Sequence, residues 1–403
     1  MISRGECQNG GKSLTDVLSS IENLADYLSE HSSETEKLGR LQDETVQHLK
    51  RVGIIRMLQP AEFGGFESHP VEFYQAVMAV SAACAATGWV CGIVGVHPWE
   101  LALADPKVQE EIWGHDPDTW VASPYAPFGR ARPVDGGYVF SGRWPFSSGT
   151  DHCDWAFLGG FVTDAQGDVP QPPVSLHFLL PRRDYEIRDG TWEVMGLKGT
   201  GSKDVEVKDA FVPAYRTVDF AKLRDGHLAA EMGRDEPLYH MPFASMFCSA
   251  VSAATIGICE GALAAATAYQ RDRISGFGIR SAEDPHTSAG LAMAGAEIDA
   301  SRVHLLNGIA EMYAVAASGV SASTDLRVRV RRNQVTAAQR AVNAIDSIFT
   351  RTGGGALRLD QPFQRYWRDA HAAMNHACNG ADQVYEAYSS HVFGRPLPPT
   401  AII

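Results

Sequence analysis

Apolar residues return every three or four positions near the start of the chain, with Leu18, Ile21, Leu24 and Leu28 on one stripe and an Ala-, Val- and Met-rich stretch over 71–94. This spacing predicts α-helices from about Ser13 to Glu111. Leu58-Gln-Pro-Ala-Glu-Phe-Gly-Gly interrupts the pattern and predicts a loop, and Pro98 predicts a helix break just after His97. Near Trp120 the period shortens to two. Tyr138-Val-Phe-Ser, Trp155-Ala-Phe-Leu-Gly-Gly-Phe-Val, Val174-Ser-Leu-His-Phe-Leu-Leu and Val205-Glu-Val-Lys-Asp-Ala-Phe-Val alternate between Gly, Pro and Asp clusters. Gly136-Gly137 reads as a hairpin turn, and Pro213 as the end of the strands. After an irregular connection over 224–242, Ala-rich helical sequence fills 245–275, 287–319, 324–350 and 362–391. Four long blocks with short breaks predict an antiparallel four-helix bundle. In the last block Phe363, Tyr366, Trp367, Ala370, Met374 and Ala377 share one stripe, while Asp369 and His376 share another. The expected architecture is α+β: an α-helical domain over 1–118, a central antiparallel β domain over 119–223 and a helical bundle over 224–403.

Composition changes this picture little. The chain of 403 residues can bury a full core. Its net charge of -13 argues against sequence-independent binding to nucleic acid or to an anionic membrane. Seven scattered cysteines suggest neither a disulfide framework nor a Cys-x-x-Cys metal site, so no metal is expected and the thiols read as reduced and cytoplasmic. The N-terminal residues lack the apolar core of a signal peptide, and no later apolar run reads as a membrane span. No strand, glycine loop and acidic residue follow in the order of a dinucleotide-binding unit.

Several ordered motifs carry a resemblance that covers nearly the whole chain. Leu58-Gln-Pro-Ala-Glu-Phe-Gly-Gly, then Gly196-Leu-Lys-Gly-Thr-Gly-Ser-Lys-Asp with Val212-Pro, then Arg273 with Phe277-Gly278 resemble the acyl-CoA dehydrogenase superfamily. Gly142-Arg-Trp-Pro-Phe-Ser-Ser-Gly-Thr-Asp-His-Cys-Asp-Trp155 and Trp367-Arg-Asp-Ala-His-Ala-Ala-Met-Asn-His376 look more like the oxygenase components of two-component flavin monooxygenases, the phenol, hydroxyphenylacetate and polyketide hydroxylases. The acidic loop of the dehydrogenases is replaced by Val121-Ala-Ser-Pro-Tyr-Ala-Pro-Phe-Gly-Arg, which argues against a CoA thioester.

That resemblance implies a reduced flavin, O2 as co-substrate, and a flavin C4a-hydroperoxide kept dry until it transfers oxygen to an aromatic, phenolic or polyketide-like molecule. Ser148 matches the serine near flavin N5, with Ser147 beside it; Trp144, Phe146 and Trp192 are candidate walls for the ring, and Thr200 and Ser202 belong to the same flavin-side motifs. His376 falls at the family's catalytic position and is the candidate base for a phenolic proton. His371, five residues earlier, lies about 140° away around a helix and reads as supporting. His97 resembles a histidine lining the hydroperoxide pocket, Ser123 matches a position facing the flavin edge, and Tyr239, His240 and Phe243 fall in the segment expected to shape the substrate site.

Arg273, Arg351, Gly353 and Gly354 are candidate phosphate holders, shared between subunits of the homotetramer that the resemblance implies. The run Arg327 to Arg332 reads as a solvated helix face or a subunit contact. A separate NAD(P)H:flavin reductase is the implied partner, and the lack of an adenosine-binding pattern favours FMNH2 over FADH2. N- or S-oxygenation by the same fold, an FAD-dependent dehydrogenase and a flavin-free scaffold are the competing readings.

Overall fold

The computed structural model describes residues 14–276 and 278–403, so Cys7, the N-terminal segment and Phe277 lie outside the described residues. Five helices come first: α1 (Leu14–Leu38), α2 (Asp43–Val52), α3 (Pro70–Ala83), α4 (Ala85–Leu101) and α5 (Pro106–Trp113). The Leu18 to Leu28 stripe does what its spacing predicts, with Ile21, Leu24 and Leu28 all buried. Pro98 does not end its helix. It lies inside α4, which runs to Leu101, while the break falls at Cys84, whose extended backbone separates α3 from α4.

Eight strands follow: β1 (Val121–Ala122), β2 (Gly129–Val134), β3 (Gly137–Ser147), β4 (Trp155–Val162), β5 (Ser175–Pro181), β6 (Glu186–Arg188), β7 (Lys203–Pro213) and β8 (Thr217–Asp219). They form one sheet in the order β6-β7-β3-β2-β4-β5-β8, with β1 beside β4. The hairpin at Gly136 joins β2 to β3, with Val134 paired to Gly137. The sheet is antiparallel except where β4 runs parallel to both β1 and β2, so it is mixed, and β8 carries it past Pro213.

The connection after β8 holds two short helices, α6 (Phe220–Asp225) and α7 (Leu228–Glu231). The bundle comprises α8 (Phe243–Asp272), α9 (Pro285–Ala317), α10 (Thr324–Phe349), α11 (Pro362–Met374) and α12 (Ala381–Val392). Side-chain caps from Asp284 and Ser323 start α9 and α10, and Pro285 and Pro362 occupy first-turn positions that need no N–H donor. The last predicted block therefore divides into α11 and α12 around a turn over 375–380.

At the centre lies α8, packed on α3, α4, α10 and α11. Small residues let α3 approach closely: a Cβ added at Gly257 would stand 2.4 Å from the Met78 carbonyl oxygen. By length and composition α8 could cross a membrane, contrary to the expectation that no such run exists. Its apolar window is 89% buried inside the protein, which accounts for that composition as core packing.

Candidate active site

A cavity of about 690 Å³ opens between the sheet and the bundle. Trp89, Phe146, Trp192, Phe243 and Phe247 give it flat apolar walls, a lining suited to a planar ring system. No aspartate or glutamate side chain occurs among its described lining residues.

The sheet-side wall is built on an irregularity in β3. Its pairing with β7 shifts register between Trp144 and Ser147, and Phe146 takes a left-handed φ of 70°. Such a bulge re-aims side chains. Phe146 consequently stands out at 66% exposure, edge-on to Trp192 at 6.1 Å, while Ser148 enters the cavity wall. Trp89 donates its indole N–H to the Ser148 hydroxyl at 3.2 Å. Ser148 and Ser202 are 2.8 Å apart, Ser202 and Thr200 2.6 Å, and Thr200 donates to the Leu197 carbonyl at 2.7 Å.

A hydroxyl has one proton to donate. Because Thr200 gives its own to a carbonyl, Ser202 must donate to Thr200, and Ser148 to Ser202. The chain therefore has a direction, from indole to carbonyl, and Ser148 faces the cavity with one lone pair left to accept.

The bundle-side wall is the turn between α11 and α12. His376 is not on the helix, as its stripe with Asp369 predicts, but two residues beyond the end of α11, with an extended ψ of 137°. Its Nδ1 accepts the backbone N–H of Cys378 at 3.1 Å. A neutral imidazole that accepts at Nδ1 carries its proton at Nε2. Burial, reinforced by the Arg331 guanidinium, pushes this imidazole down to about 4, so it is neutral near pH 7.

Asp369 serves the frame. Its carboxylate accepts the Leu197 N–H at 2.5 Å, and burial raises it to about 6. Arg368 ties α11 to Glu36 at 2.6 Å, and His371 bonds Asp346 at 2.8 Å outside the cavity lining.

Of the other sequence candidates, Ser123 and Phe243 line the cavity. Several do not. Trp144 is wholly buried inside the sheet, donating to the Gly159 carbonyl and packing on Phe140, so it is core and not a flavin wall. Ser147 faces the interior on the far side of the bulge, and Thr200 stands behind Ser202.

His97 donates from Nδ1 to the Val121 carbonyl at 2.5 Å and is screened from the cavity by the Tyr125 ring, 5.5 Å away. Tyr239 is buried under Arg234, and His240 bonds the Arg234 carbonyl, so neither reaches the cavity. Arg273 and Arg351 line a second cavity of about 340 Å³ at the start of α9. Gly353, at φ 73°, packs so tightly on Arg273 that a Cβ would lie 2.6 Å from its guanidinium, and Gly354 begins the next turn. Within one chain, this group does not join the His376 cavity.

Lining residues that escape sequence reading include Trp89, Tyr125, Phe247 and Arg331. Arg331 belongs to the run that reads as a solvated helix face or a subunit contact, yet within one chain it is only 4% exposed. Its neighbours at helical spacing, Val328, Gln334, Val335 and Ala338, are all buried, and that stripe was the available signal. Elsewhere in the run, Arg329 pairs with Glu311, and Arg327 reaches Asp225 and the Ile403 carbonyl. Among the described residues no group of three or more His, Cys, Asp or Glu side chains could hold a metal ion, and the six described cysteines are free.

This architecture is the acyl-CoA dehydrogenase-like fold, and the model of the acyl-CoA dehydrogenase C-terminal domain matches residues 249–380. The pigment production hydroxylase of Rhodococcus erythropolis is 51% identical over 374 residues, spanning 93% of this chain and 95% of its own. The flavin-dependent monooxygenase oxygenase subunit HsaA of Mycobacterium tuberculosis is 40% identical over 390 residues, spanning 96% and 97%. The crystal structure of HsaA monooxygenase matches with a TM-score of 0.90, covering 96% of this chain and all of that one. XiaF from Streptomyces sp., solved with FADH2 and glycerol, also gives 0.90, at 25% identity over 97% of this chain and 98% of its own. The chain belongs to the family of oxygenase components of flavin-dependent monooxygenases.

Proposed function

We propose that this chain hydroxylates a phenolic small molecule at the cavity between sheet and bundle, using reduced flavin made by a separate NAD(P)H:flavin reductase. The observation that carries the reading is one cavity uniting Ser148, Ser202 and Trp192 with His376 and holding no carboxylate side chain. A dehydrogenase of this fold would need such a carboxylate as its base. The aromatic walls and the volume suit an isoalloxazine ring, and the lone pair left on Ser148 suits the N5–H of its reduced form. When bound, the reduced flavin activates O2, one oxygen atom entering the phenol and the other leaving as water.

The chain's own residues supply position and dryness. Ser148 would accept from the flavin edge, Trp192 and Phe146 would cover it, and Phe243 and Phe247 would hold the substrate ring. His376 is a donor in its resting tautomer, because Nδ1 is committed to the Cys378 amide. This differs from the base expected from sequence: the ring offers Nε2–H to a substrate oxygen.

Arg273, Arg351 and the Gly353–Gly354 turn are assigned to flavin phosphate across a subunit boundary of a homotetramer, their separation from His376 within one chain supporting that arrangement. We place the enzyme in the cytoplasm. Sequence favours FMNH2; the XiaF complex favours FADH2 as a second form. Anaerobic binding of each reduced flavin, followed by oxygen and a panel of phenols, tests the whole reading. Hydroxylated phenol is expected; hydrogen peroxide alone, with every phenol recovered unchanged, would overturn it.

A further inference from the structure

Arg331 is a buried cation with no anion. Its Nη1 donates to the Gln334 side chain at 3.1 Å and its Nη2 to the Cys378 carbonyl at 2.5 Å, while Nε has no partner. Among the described residues it forms no ion pair, whereas the less deeply buried Arg327 of the same run reaches Asp225. A guanidinium removed from water without a counter-charge is costly to keep, and such a charge persists where something anionic is to meet it. Arg331 lines the cavity and grips the turn that carries His376. The titratable side chains facing it are His376 and Cys378 on that turn and Cys248 on α8, and none is a carboxylate.

We propose that Arg331 is the counter-ion of the substrate and that the cavity holds its phenol as phenolate, between the guanidinium and the Nε2–H of His376. This rests on the phenol-hydroxylating reading above and deepens it. The phenolic proton leaves to solvent on binding, so no side chain must remove it during oxygen transfer. The ionised ring is the stronger nucleophile toward an electrophilic oxygen. A cation beside the phenolate oxygen and an N–H offered to it also explain why a donor tautomer of His376 is useful there.

The test uses 4-nitrophenol, whose visible absorbance reports its ionisation, bound to the flavin-free protein across a pH series, with 4-nitroanisole as the probe that cannot ionise. In the wild-type protein the acid strength of bound 4-nitrophenol is expected to rise at least about tenfold over the free probe. Arg331→Gln is expected to abolish that rise and Arg331→Lys to restore part of it, while 4-nitroanisole affinity changes less than about threefold. A wild-type probe that titrates as it does in water overturns the inference without any variant, and this is the result expected if a Cys248 thiolate already neutralises the guanidinium. A shift that survives in Arg331→Gln also overturns it. Normal hydroxylation without the shift sinks this inference alone; an intact shift with no hydroxylated product from any phenol sinks the reading of the reaction and leaves the anion site standing.

Discussion

The two walls of the cavity are opposites in hydrogen-bonding terms. On the sheet side the hydroxyl protons of Ser148, Ser202 and Thr200 are assigned along the chain from Trp89 to the Leu197 carbonyl, and what that chain leaves at Ser148 is an acceptor. On the bundle side His376 holds a proton at Nε2 without a receiver, beside the Arg331 cation. A cavity with an acceptor on one wall and donors on the other orients two different ligands, one that donates and one that is electron-rich. The reduced flavin and the phenolate fit those demands in that order.

The largest test of this contrast concerns His376. Replacing it by alanine removes a preorganised donor and is expected to lower kcat/KM about a hundredfold. His376→Gln keeps an N–H and should recover to within about tenfold of the parent. Equal losses in both variants, measured at saturating flavin, would restore the imidazole as a base and break the contrast.

A second test reaches the dry layer behind both walls. Burial pushes His97 from an ordinary 6.5 to about 4. The unfolded chain therefore binds a proton that the folded one refuses, so this stabilisation is complete above pH 6.5 and is lost as pH falls toward 4. By about pH 5 the loss is roughly 2 kcal/mol from this residue. Denaturant unfolding of His97→Gln against the parent at each pH should show the gap, and parallel pH profiles would show that His97 does not titrate on unfolding.

Third, Ser148→Ala removes the lone acceptor and should cut hydroxylated product per peroxide about tenfold, worth about 1.4 kcal/mol. Ser202→Ala only frees the Ser148 proton to turn, and should cost less. The reverse ranking, read from peroxide yield, would mean that the chain runs the other way.

The smallest effect belongs to the frame beneath the walls. Asp369→Asn keeps an acceptor for the Leu197 N–H and, near pH 4 where the parent carboxyl is still protonated in the folded chain, should change stability by less than about 1 kcal/mol. Because burial raises the carboxyl from an ordinary 3.8 to about 6, the folded chain keeps a proton that the unfolded chain gives up, so the asparagine variant should gain on the parent as pH rises from about 4 to 6 and level off above that. A large loss at every pH would show that the charge itself holds the loop.

Local pattern carries most of the fold and part of the site. The Leu18 stripe, the hairpin at Gly136 and the bundle blocks follow from periodicity, and Ser123, Phe146, Ser148, Trp192, Ser202, Phe243 and His376 do reach the cavity. What sequence misreads depends on which face of an element looks inward, and that is set by distant partners. Trp144 and Phe146 sit two residues apart on one strand and would share a face, but the bulge after Trp144 sends one into the core and the other to the cavity mouth. Arg331 is hidden the other way, its charge masking a position whose helical neighbours are all core.

The apolar character of α8 also bears on the order in which the chain is made. A segment with membrane-like composition is a hazard while it has nothing to bury against. Two of its partners, α3 and α4, lie upstream, whereas α10 and α11 are synthesised later. The N-terminal helices thus offer α8 apolar faces that are already made when its own sequence is synthesised.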